Sequence, residues 1–144
     1  MPRPMKCRRV EFFPDVESFL PTGTGTGKVK EYTIKVEELE AMRLKDVENM
    51  SQEDCADRMH VSRQTFQKII ETARKKVALA LMDGAAIRIS GGCFVSKTCR
   101  LLCADCGNSY DPDVEEDKLF CPKCGSRNID CMRKNSNCKK WCSQ

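Results

Sequence analysis

The sequence predicts a mainly α N-terminal domain, a three-helix helix-turn-helix unit with short strands, followed by a small cysteine-rich zinc ribbon. Three observations carry that expectation. Residues 49–76 read as a short helix, a tight turn and a longer helix. Glu37 to Asp46 supplies an earlier helix to buttress that pair. Cys103-x-x-Cys106-Gly and Cys121-x-x-Cys124-Gly follow, separated by fourteen residues.

The first of the paired helices starts at Ser51, where Asp54 makes a shortened capping box. Cys55, Ala56 and Met59 share one side of it. Met59-His60-Val61 breaks the helix, and Ser62 caps the next by accepting from an orphan backbone N–H. At about 100° per residue, Phe66, Ile69, Ile70, Ala73 and Val77 fall on one face. Gln64, Gln67, Lys68, Glu71 and Lys75 point the other way. In a helix-turn-helix such a second helix lies in the major groove with its N-terminal residues at base edges. Ser62, Arg63, Gln64, Gln67 and Lys68 are the candidate DNA contacts, because these side chains pair with phosphates, guanines or adenines. Arg74 and Lys75 extend the basic end. The competing interpretation is a plain helical hairpin with a solvated charged face. His60 occupies the turn, where it takes positive φ at some cost, as Asn does.

The chain has 144 residues and a formal net charge of +4, only mildly in favour of a nucleic-acid partner. No apolar run approaches the roughly 18 residues of a membrane span, and no signal-peptide core is seen, so a cytoplasmic location and no membrane partner are expected. Eleven cysteines without an export signal favour metal over disulfides. Three domains are expected: a basic arm and loop over 1–30, the DNA-binding domain over 31–92, and the ribbon and tail over 93–144.

Prolines at 2, 4, 14 and 21 forbid a long helix at the start. Arg3, Arg8 and Arg9 lie in an extended basic arm suited to a minor groove or to phosphates, or are a basic terminus with no dedicated role. Thr22 to Lys28 resembles a phosphate loop only superficially. Thr22 stands where that loop needs Gly, and Val29 where it needs Ser or Thr, so nucleotide binding is rejected. Lys28 to Val36 alternates as a short strand. The helix after it directs Leu39, Met42 and Val47 inward, and its acidic start suits a helix N-terminus. Asp83-Gly84 ends the long helix, Ala86 to Ser90 can pair with the earlier strand, and Gly91-Gly92 marks a boundary.

Pro-Arg-Pro-x-Lys-Cys-Arg-Arg-Val at the start, EELEAMRL from Glu37, SQEDCADRMHVSRQTFQKIIETARKKVALAL from Ser51 and Ala-Ile-Arg-Ile-Ser-Gly-Gly resemble an uncharacterised prokaryotic family of small helix-turn-helix proteins. Its fold is similar to the sigma-factor domain that reads the promoter −35 element. The resemblance covers roughly residues 1–92. It implies double-stranded DNA binding and transcriptional regulation, with RNA polymerase as a further partner, but no target. His60 departs from the usual Gly, and the C-terminal half is not part of the shared core.

In that half, two-residue spacing lets both thiolates of a pair reach one ion. Gly107 and Gly125 permit positive φ, so backbone N–H groups can face sulfur. Cys103, Cys106, Cys121 and Cys124 then complete a closed tetrahedral zinc (Zn) site. The paired turns also resemble rubredoxin, an iron protein, whose intervening loop is longer. Cys93, Cys99, Cys131, Cys138 and Cys142 carry no assignable spacing. They can hold a second metal or a cluster, act in redox, or be free thiols. Cys55 reads as a small core residue, and Cys7 lies apart.

The expectation is a sequence-specific double-stranded DNA-binding regulator with structural zinc. The alternatives are a metal- or redox-responsive regulator using the extra cysteines, or a rubredoxin-like iron electron carrier. No nucleophile–base pair is evident, so no enzyme is expected. Oligomeric state is not legible.

Overall fold

The computed structural model describes residues 5–23, 28–132 and 141. Arg3, Cys138 and Cys142 lie outside the described residues. The chain divides into two compact units, Phe12–Gly92 and the combination of Met1–Glu11 with Cys93–Gln144.

The expected mainly α class is corrected. Among the described residues helices make up 37% and strands 21%, the latter in three sheets, so the fold is mixed α/β. All of the strands among the described residues are two to four residues long. Segments so short carry almost no alternation, and tertiary pairing creates them.

In the Phe12–Gly92 unit, β2 (Ser18–Phe19), β3 (Glu31–Ile34) and β4 (Ala86–Ile89) form one sheet in the order β2-β4-β3. β3 runs parallel to β4 in the register Glu31↔Ala86 to Ile34↔Ile89, while β2 is antiparallel to β4. A parallel pair needs a long crossover. Here the crossover is the entire helical segment: α1 (Val36–Met42), α2 (Gln52–Met59) and α3 (Arg63–Asp83).

α1 begins where Glu38 Oε1 accepts from Lys35 N at 2.8 Å, and it runs into a π-helical turn over Arg43–Val47. This turn corrects the expected inward set in part, since Met42 packs against the core but Val47 does not. Val47 is 74% exposed, and Leu39 and Met42 are half-buried. Together with Phe12 they line an apolar groove of about 670 Å³. The helix buries Val36 and Ala41, and the π turn Leu44, beside three acids of the helix, Glu37, Glu38 and Glu40. Two of these are balanced by charge: Glu38 pairs with Lys76 at 2.7 Å and Glu40 with Arg43 at 2.6 Å. Buried carboxylates with such partners set the helix's rotation, which an apolar count misses.

The core beneath α2 and α3 is Ala41, Leu44, Cys55, Ala56, Met59, Phe66 and Ile70, all buried, with Met42, Met50, Val61 and Ile69 against it. Burying an aliphatic or Phe side chain contributes about 1.5–3 kcal/mol. Local signals start and stop each helix. Ser51 Oγ accepts from Asp54 N at 3.1 Å, and Ser62 Oγ from Thr65 N at 3.1 Å. His60 ends α2 with φ 55° and ψ 44°, and Gly84 ends α3 with φ 62°.

In the other unit, β1 (Arg8–Val10) pairs in parallel with β5 (Phe94–Ser96) in the register Arg8↔Phe94. A three-stranded antiparallel sheet follows in the order β7-β6-β8: β6 (Leu101–Cys103), β7 (Ser109–Tyr110) and β8 (Ile129–Cys131). A single 3₁₀ turn covers Glu115–Lys118. Val10, Phe94, Val95 and Leu101 are buried in this unit.

No helix of the described residues is long and apolar enough to cross a membrane.

Candidate metal centre

The end of β6 delivers Cys103, and the chain turns at once so that Cys106 faces it. Gly107 N donates to Cys103 O at 2.9 Å and adopts φ 74°, which only Gly takes without strain. The second turn repeats the first: Gly125 N donates to Cys121 O at 2.8 Å with φ 76°. Each turn presents two sulfurs to the other. Cys103 Sγ lies 3.6 Å from Cys124 Sγ, and Cys106 Sγ 3.6 Å from Cys121 Sγ. All four sulfurs lie within 4.8 Å of one another.

This arrangement fits a tetrahedral ion. With metal–sulfur bonds of about 2.3 Å, the sulfurs of a tetrahedron stand about 3.8 Å apart. The four cysteines therefore form a group able to hold one metal ion. Cys103 and Cys121 are buried at the strand side, and Cys106 and Cys124 are exposed.

The four thiols differ in how readily each ionises. The Cys106 backbone N–H, with that of Asp105, holds Cys103 below the ordinary thiol range despite desolvation. Desolvation opposes ionisation of Cys121. The backbone N–H groups of Cys124 and Lys123 and the Cys106 and Cys124 thiols outweigh it and bring Cys121 down to about 6. The Ser126 N–H favours the Cys124 thiolate, but desolvation and the three neighbouring thiols push it up to about 12. One sulfur of each turn, Cys103 or Cys121, is thus held below the ordinary thiol range and its partner, Cys106 or Cys124, above it; a cation among the four would offset their mutual repulsion. Asp105 braces the rim by accepting from Asn128 Nδ2 at 3.2 Å and from the Ser126 hydroxyl.

The candidate DNA-contacting residues belong to the Phe12–Gly92 unit, apart from Arg8, Arg9 and Arg3, the last outside the described residues. Ser62, Arg63, Gln64, Gln67, Lys68, Arg74 and Lys75 are all exposed on the first turns and the outer face of α3. Several are engaged. Arg63 pairs with Glu53 at 3.2 Å across the turn, and Gln67 donates to Glu71 at 3.1 Å. Arg74 Nε donates to Asp46 Oδ2 at 3.2 Å. Arg8 and Arg9 are half-buried and spend donors on backbone carbonyls: Arg8 on Lys6 O at 2.8 Å, Arg9 on Pro112 O at 3.2 Å.

No spacing in the sequence relates Cys7 to Cys93. They are neighbours, 3.5 Å apart at sulfur, with Glu115 beside both. Desolvation, then the Cys93 thiol, push Cys7 well above the ordinary thiol range. Each cysteine immediately precedes a three-residue strand, Arg8–Val10 or Phe94–Ser96, and the basic Arg8-Arg9 pair hides the first of these from any apolar pattern.

Residues 1–97 match the family described as "Protein of unknown function DUF134". A "UPF0251 protein" of Clostridium botulinum (strain Loch Maree / Type A3) is 54% identical over 142 residues, covering 99% of this chain and 90% of that protein. One of Clostridium beijerinckii is 53% identical over 142 residues, covering 99% of this chain and 96% of that protein. No solved structure matches.

Proposed function

The chain belongs to this DUF134/UPF0251 family, and from that premise we propose that it is a sequence-specific double-stranded DNA-binding protein that regulates transcription and carries a structural zinc. The observation that supports the reading most is the exposed start of α3. A capped helix of 21 residues follows a left-handed turn at His60 and presents Arg63, Gln64, Gln67 and Lys68 outward together. Two amides and two cations on successive turns are the side chains that read base edges in a major groove. In this reading α2, the turn and α3 act as a helix-turn-helix similar to the sigma-factor promoter-reading domain, within a mixed α/β unit.

The engaged side chains do not forbid docking. An exposed pair such as Arg63–Glu53 is worth about 1 kcal/mol at most. A bidentate base contact discriminates by about 1–3 kcal/mol. Releasing Glu53 therefore costs less than one good base contact returns.

The four-cysteine centre takes zinc in this reading and is structural. Four thiolates leave no position for water, so no hydrolytic step is assigned to it. The test is selection from random duplex DNA by the full zinc-loaded chain. Enrichment of one sequence, lost when Gln64 and Gln67 are both replaced by Ala, supports the reading. Binding with no sequence enrichment, or none at all at low salt, overturns it.

A further inference from the structure

We propose that Cys7, Cys93 and Glu115 form a second metal site, distinct from the four-cysteine centre, that takes a divalent, borderline-soft cation such as zinc. The proposal stands independently of the DNA-binding reading.

Three donors from distant parts of the chain converge. Cys7 Sγ and Cys93 Sγ are 3.5 Å apart although they stand 86 positions apart in the sequence. Each also lies 3.5 Å from Glu115 Oε2. The donor atoms thus make a triangle with three equal edges. A tetrahedral zinc with sulfur bonds of about 2.3 Å and an oxygen bond of about 2.0 Å requires a sulfur–sulfur edge of about 3.8 Å and sulfur–oxygen edges of about 3.5 Å. Two edges match and the third is a few tenths short, within the adjustment of a side-chain rotation.

The backbone holds this triangle in place. Arg8 N donates to Cys93 O at 3.0 Å, which sets the cysteines side by side at the entrance to the parallel strands β1 and β5. Cys7 N donates to Asp113 O at 2.8 Å, and Lys6 bridges Val114, so Glu115 arrives next to both sulfurs. Lys118 is anchored to Phe94 O at 2.6 Å and lies 3.4 Å from Glu115 Oε2, where it orients the carboxylate. Outer contacts of this kind aim metal ligands.

The charges balance. Two thiolates and one carboxylate bring three negative charges; a divalent ion and the Lys118 ammonium bring three positive. Binding releases the two thiol protons to solvent. The soft sulfurs with one hard oxygen favour zinc over magnesium or calcium, which take oxygen donors. The ion would clip the N-terminal strand to the strand it pairs with and to the 3₁₀ turn.

The experiment uses the full chain, reduced and loaded with ¹¹³Cd²⁺, read by cadmium NMR. Two resonances are expected. One lies in the four-thiolate region, and a second lies upfield of it because oxygen replaces sulfur. Glu115→Gln, which keeps both thiols, should shift the second resonance and weaken that site about tenfold or more, leaving the first unmoved. In native mass spectra of the zinc-loaded chain, Cys7→Ser/Cys93→Ser should carry one ion fewer than wild type. A single four-thiolate resonance in the wild-type chain overturns the proposal. So does a second resonance indifferent to Glu115→Gln, or a Cys7–Cys93 disulfide in protein isolated under reducing conditions.

Discussion

Gly91 and Gly92 lie side by side at the end of the Phe12–Gly92 unit, and the structure assigns them different costs of gaining a methyl group. Both take positive φ, +71° and +110°. At Gly91 an added Cβ meets nothing within 4 Å. Gly91→Ala therefore pays only for left-handed backbone, about 1–2 kcal/mol. At Gly92 the Cβ would overlap the Glu37 carboxylate and stand 2.8 Å from its Cδ. Glu37 is 5% exposed on the first turn of α1, so yielding means moving a buried carboxylate out of its setting. Disturbing a buried polar group costs about 1–3 kcal/mol more. Gly92→Ala should thus destabilise the unit by roughly 2–5 kcal/mol against roughly 1–2 for Gly91→Ala. Urea unfolding followed by far-ultraviolet ellipticity isolates this unit, because α1, α2 and α3 all belong to it. The midpoint should fall further for Gly92→Ala at unchanged slope. Adding Glu37→Ala should recover the difference, a coupling that a double-mutant cycle measures. Equal midpoints for the two glycine variants would refute the reasoning: Glu37 would then swing aside at no cost.

Three further outcomes are expected. Gln64→Ala should cost ~1–3 kcal/mol on the preferred duplex and relax selection at one base pair, measured by competition binding; a uniform loss across all sequences would reassign Gln64 to the backbone. Stripping metal from the four cysteines should remove ~10–16 kcal/mol of binding energy and scatter the amide signals of Leu101–Cys103 and Ile129–Cys131, while the Phe66 and Ile70 signals persist; elemental analysis finding iron would move the centre to electron transfer. Asp83 accepts from Tyr32 Oη at 2.5 Å and pairs with Lys30 at 3.4 Å, and the tyrosine bond, then the lysine, hold its carboxyl below the usual range. A depressed folded value gives stability that is present above the unfolded carboxylate pKa and lost as pH falls through the folded one, so wild type but not Asp83→Asn should lose a small increment of Tm in that acid window.

What the sequence determined by itself was local. Ser51 and Ser62 as caps, His60 in the left-handed turn, Gly84 at the end of α3 and the two Cys-x-x-Cys-Gly turns all rest on interactions within a few residues, where spacing alone fixes geometry. The four-cysteine group needed one step more, and the identity of its donors was enough to supply it. The tertiary structure decided the rest. β2, β4 and β3 combine strands of two to four residues whose pairing spans most of the unit, so no periodicity announces a sheet. The phase of α1 was set by Glu38 reaching Lys76 and Glu40 reaching Arg43, together with a π turn that carries Val47 to the surface. Cys7, Cys93 and Glu115 meet because β1 chose β5 as its neighbour, a long-range parallel pairing. Such pairings depend on the free energy of the whole packed unit, which no short window of residues contains.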